Sequence, residues 1–79
     1  MSSQASLDLL TEALFVSDIQ RSESASPEQI RIVVTETVQR HGEGGCAELV
    51  AQEFGEHPDS AVGRMRWARS VIGNAYLGH

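Results

Sequence analysis

The stretch from Cys46 to Ile72, CAELVAQEFGEHPDSAVGRMRWARSVI, constrains the fold more than any other part of the chain. Val50 and Phe54 are followed by Ala61, Met65, Ala68 and Ile72. This is one apolar stripe at helical spacing, interrupted near Phe54-Gly55. The small residue Ala51, four positions before Gly55, suits a place where two helices approach closely. These positions predict two helices joined at a glycine, the second crossing the first, which is a helix-turn-helix.

Upstream, the same reasoning finds two more helices. Ser6 can cap the first, with Asp8 in its opening turn and Leu7, Leu10, Leu14 and Phe15 recurring along it. Leu9, Ala13, Val16 and Ile19 widen its apolar arc beyond that of an ordinary surface helix. Such a helix is either central to the core or part of a homodimer seam. The second helix opens with Ser26-Pro27-x-Gln29, a capping box with proline at the first helical position. Ile30, Val33, Val34 and Val38 face inward along it. Its many β-branched residues also fit a strand, but the cap and the 3.6-residue period favour a helix. Gly42 can end it in a left-handed conformation, leaving GEGG at 42–45 as a turn. The expectation is an all-α bundle of four helices near 6–20, 27–41, 45–54 and 58–76, the last two forming the helix-turn-helix over 45–76. The 79 residues make one domain, with 1–5 frayed. The expected core comprises Leu7, Leu10, Leu14, Ile30, Val33, Val34, Val38, Val50, Phe54, Met65, Ala68 and Ile72.

Charge placement is more informative than the net −5. There is no lysine, and all eleven acids fall at or before Asp59 against three arginines, so residues 1–59 carry −8. From Ser60 onward three arginines and no acid leave +3. An acidic body with a basic last helix can meet an anionic partner through that helix. A single cysteine, Cys46, allows no internal disulfide. No segment resembles a signal peptide or a membrane span, so a cytoplasmic protein is expected.

Taken without gaps, VAQEFGEHPDSAVGRMRWAR resembles the helix-turn-helix in region 4 of bacterial sigma factors. The resemblance rests on Val50-Ala51, Phe54-Gly55, Ser60-Ala61, Arg64-Met65 and Ala68-Arg69 and covers roughly the last third of the chain. It implies a transcription regulator whose final helix lies in the major groove of DNA. The positions that would read bases carry Pro58, Asp59, Val62 and Gly63, which offer almost no donors to base edges. On a helical wheel, Arg66 and Arg69 share a flank with Val62. Arg64 lies on the opposite flank near the core, and Gly63, Trp67, Ser70 and Asn74 face away from it; Trp67 there is either an exposed anchor for a protein partner or folds back over the N-terminal helix as peripheral core.

The candidate binding residues are therefore Gly63, Arg64, Arg66, Trp67, Arg69 and Ser70. Two functions follow. The first is DNA contact through the arginines. The alternative is a regulatory adaptor that binds an acidic protein, such as transcription machinery, through Trp67 and the arginine flank. No catalytic, metal or cofactor site and no small-molecule substrate is expected. Cys46, His41 and His57 lack ligand spacing, His57 suits a helix cap, and Glu48, Glu53 and Glu56 read as a solvated acidic face. His57, Asp59 and Ser60 have no nucleophile elbow around them, and GEGG lacks the upstream strand of a phosphate loop.

Overall fold

A computed structural model describes residues 6–78; the expected fraying at 1–5 lies outside them. Three helices make up the fold: α1 (Leu7–Val16), α2 (Pro27–Glu56) and α3 (Pro58–Leu77), with no strand among the described residues. The β-branched segment 30–38 is helical, as its cap and period predict.

Helix α1 starts where the sequence places it, with the Ser6 hydroxyl accepting the Leu9 N–H at 3.1 Å. It stops at Val16, four residues short of expectation. The cause is Ser17, whose N–H and hydroxyl both donate to the Leu14 carbonyl, at 3.1 and 2.7 Å. The same hydroxyl accepts the Ile19 N–H at 3.3 Å. Such local side-chain bonds give the backbone an alternative to another helical turn. Ile19 nevertheless reaches the core from the loop, only 8% exposed.

The capping box at the start of α2 is fully formed. Gln29 N–H donates to the Ser26 hydroxyl at 3.2 Å, and Ser26 N–H donates to the Gln29 side chain at 3.0 Å. The helices expected at 27–41 and 45–54 run together as the 30-residue α2 but break where expected, at Gly42, whose φ 73° and ψ 172° are not helical. A straight helix of that length would run about 45 Å, whereas the molecule measures 32 × 31 × 18 Å. The bend folds α2 into two arms, 27–41 and 43–56. Because one glycine absorbs the whole change of direction, residues 43–45 remain helical and no separate turn forms.

The next break is displaced. Helix α2 runs through Gly55, and the chain turns at His57 (φ −139°, ψ 64°) before Pro58 opens α3. Gly55 keeps a negative φ, since positive values among the described glycines occur at Gly42 and Gly78. Proline explains the break: it cannot donate to the preceding turn and disfavours helical geometry at the residue before it. The link is closed by His57 N–H to Glu53 O at 2.7 Å and Ala61 N–H to His57 O at 2.9 Å. Ala51 is exposed, and a methyl on Gly55 would meet nothing within 4 Å. The close helix crossing expected at these two residues is thus not made there. Helix α3 ends at Leu77, with Gly78 left-handed at φ 74°.

Both arms of α2 and helix α3 pack against α1. Leu9, Ala13, Leu14 and Phe15 are all buried, and three consecutive buried residues cover most of a helix circumference. The broad apolar arc that suggested a dimer seam is therefore largely covered within one chain. The arms contribute Ile30, Val34, Cys46 and Val50, and α3 contributes Ala61, Ala68, Ile72 and Ala75. Phe15 and Phe54 stack at 5.9 Å between ring centroids. Leu7, expected in the core, is 44% exposed in the first turn of α1, and Leu9 takes the inward place. Leu10, Val33, Val38, Phe54 and Met65 pack at the core edge, half-buried. Thr11 and Thr37 are buried because each hydroxyl donates to the carbonyl four residues back, at 2.8 and 2.7 Å.

Candidate functional site

Helix α3 carries every binding residue expected from the sequence, and packing divides them into two groups. Arg64 points into the molecule. Its Nε donates to the Phe15 carbonyl at 2.6 Å, and its Nη2 donates to Ser17 and Ile19 at 3.0 Å each, with a longer approach to Leu14 at 3.5 Å. These carbonyls belong to the last turn of α1 and the loop after it, where a helix leaves acceptors unsatisfied and a cation is favoured. Helix α1 has no basic residue in its own last turn. Arg64 supplies that charge from 45 to 50 residues away.

Trp67 belongs to the same arrangement. The Arg64 guanidinium lies 4.8 Å from the Trp67 ring centroid and 5.9 Å from that of Phe15. A guanidinium at that range from an indole face gains a cation–π attraction that burial strengthens. Trp67 is half-buried against the core. Burial holds the Arg64 pKa below its ordinary value; nearby Arg21 pushes it the same way, and Glu53 opposes them. Gly63 is half-buried, and a methyl there would sit 3.2 Å from Nη1 at the far end of the exposed Arg21 side chain. Arg64 and Trp67, read from the sequence as binding residues, are built into the packing around α1. Arg64 in particular does not present its fork to an outside anion.

Arg66, Arg69 and Ser70 are exposed, as is Val62 on the same side of α3. Arg69 also lines a cleft of about 220 Å³ together with Asp8, Thr11, Glu12 and Met65. Two acids of α1 thus border the basic flank, which the one-dimensional charge count conceals. Arg31 is engaged elsewhere, donating to the Ala75 carbonyl at 2.7 Å near the end of α3. Arg40 shares a polar cleft of about 300 Å³ with Asp18, Glu23 and Glu36. Of the six arginines, Arg66 and Arg69 form the one outward pair on a single helix face. Pro58 and Asp59, at the start of that helix, are exposed as well.

Cys46 is buried and solitary. Its pKa is raised by burial and by Glu12, which keeps the thiol protonated and unreactive. Burial likewise raises the Tyr76 pKa, partly offset by Arg31. His41 is exposed and lines the Arg40 cleft, well separated in role from Cys46. His57 accepts no side-chain cap duty. Instead its ring gathers with the carboxylates of Glu53 and Glu56, one ligand-type atom from each lying within 4.8 Å of the others. The spacing Glu-x-x-Glu-His, with the two glutamates one turn apart at the end of α2 and the histidine directly after it, was the available signal for this group.

No helix among the described residues is long and apolar enough to cross a membrane. No family model matches the chain, and no curated protein or solved structure matches it, so the functional reading rests on the residues and their geometry.

Proposed function

We propose that this chain is a non-enzymatic interaction module that docks an acidic protein surface on the outer face of α3, through Arg66 and Arg69 with Val62 and Ser70 beside them. The observation that carries this reading is the fate of Arg64. With its guanidinium donating to carbonyls of α1 and the loop after it, α3 offers two outward cations rather than three, on a body that carries −8 over residues 1–59. Two arginines one turn apart fork well onto carboxylates. Against the dense charge of a nucleic-acid backbone, the same pair is opposed by Asp59 and by Asp8 and Glu12 at its border. Trp67 acts as the support that fixes Arg64, with its remaining exposed edge as a secondary contact.

A regulatory adaptor acting on the transcription machinery of a bacterial cytoplasm is the specific form that the sigma-like pattern suggests. Direct contact with DNA is the second reading, favoured by the exposure of Arg66 and Arg69 at a spacing that reaches adjacent phosphates. Affinity capture with the intact chain as bait tests the first reading. An acidic protein retained by the parent should be lost with Arg66→Glu/Arg69→Glu and recovered in charge-reversed form by opposite substitutions in the partner. Capture that ignores both arginines would refute it.

A further inference from the structure

We infer that Glu53, Glu56 and His57 form a site for a borderline divalent cation of the zinc type, at the junction of α2 and α3. One ligand-type atom from each residue lies within 4.8 Å of the other two. In a tetrahedral shell built on bonds of about 2.0–2.1 Å, ligand atoms stand roughly 3.3 Å apart. All three side chains are exposed, so small rotations of χ angles close that gap.

The donor set is mixed, and this separates it from an ordinary acidic face. An imidazole nitrogen with two carboxylates suits zinc, cobalt or nickel, whereas magnesium and calcium take oxygen shells. The backbone under the site is fixed on both sides, by His57 N–H to Glu53 O at 2.7 Å and by Ala61 N–H to His57 O at 2.9 Å. Two carboxylates at the C-terminal end of α2, with no basic residue in that turn, have the wrong sign for the helix dipole. A dication reverses that penalty. Arg64, a cation near Glu53, gives its Nε and Nη2 to carbonyls of α1 and the loop after it instead. Three protein ligands would leave the remaining position to water, and the ion would pin the one-residue link between the helices.

Isothermal titration of the intact chain with zinc chloride at neutral pH tests this assignment. The expected result is one zinc per chain, with affinity falling by well over tenfold in His57→Ala, since even an outer-shell partner is worth roughly that much. Glu53→Gln/Glu56→Gln should abolish the transition, and His41→Ala/His79→Ala should leave it in place. Binding should fade in acid, because imidazole must lose its proton to coordinate. These exposed substitutions leave the core untouched, which circular dichroism of each variant checks. Absence of zinc binding would overturn the assignment, as would a transition that survives His57→Ala or follows His41 and His79. Equal binding of magnesium or calcium chloride would overturn the imidazole's part in it.

Discussion

Arg64 shows how far a residue's role can lie from its appearance on a helical wheel. Placed on one flank near the core boundary, it reads as one of three arginines available to a partner. The acceptors that claim it, Phe15, Ser17 and Ile19, lie 45 to 49 residues away along the chain, and no spacing rule in the sequence connects them. Arg64→Ala should cost about 2–4 kcal/mol, because charged hydrogen bonds are lost and carbonyls at the end of α1 are left without their donor. Arg64→Lys should recover little of this, since an ammonium cannot span several carbonyls as a planar fork does. Chemical denaturation of the two variants checks both statements; a parent-like Arg64→Ala would remove the structural role. Phe15 and Phe54 allow a second comparison. Phe15 is 3% exposed, so Phe15→Ala should cost about 3–5 kcal/mol. Phe54 is only half-buried, and its alanine variant should lose less in the same assay, the reverse order contradicting the packing. Cys46, buried with its pKa raised, should react with a thiol reagent only as fast as the chain unfolds.

Elements were legible wherever their signals are local. The Ser6 cap, the Ser26–Gln29 box, the period of Ile30 and Val34 and the Gly78 stop all lie within a few residues of what they determine. Junctions were legible only in part, because glycine permits a turn without requiring one. Gly42 breaks the helix with a positive φ as expected, though the turn expected over 42–45 shrinks to that one residue, while Gly55 was expected to turn the chain and remains helical. Alanine substitution separates the two. Gly42→Ala forces a side chain into φ 73°, ψ 172° and should cost about 1–3 kcal/mol. Gly55→Ala meets open space in a helical backbone and should stabilise by about 0.5–1 kcal/mol. Thermal melts read both, and destabilisation by Gly55→Ala would restore the glycine turn read from the sequence.

At the scale of the whole molecule, α1 is wrapped by the two arms of α2 and by α3, which leaves the outer face of α3 as the basic side of an acidic body. Fold class followed from periodicity, but the division of α3 into an inward Arg64–Trp67 group and an outward Arg66–Arg69 pair depends on contacts between distant segments. That division is what favours an acidic protein over DNA. The most direct measurement is fluorescence anisotropy of a labelled random duplex titrated with the intact chain at low and moderate salt. The account predicts no saturable binding at micromolar protein and no change on Arg66→Ala/Arg69→Ala. Tight binding whose logarithm falls with log salt at a slope of about −2, as for two neutralised phosphates, and which the double substitution abolishes, would contradict it.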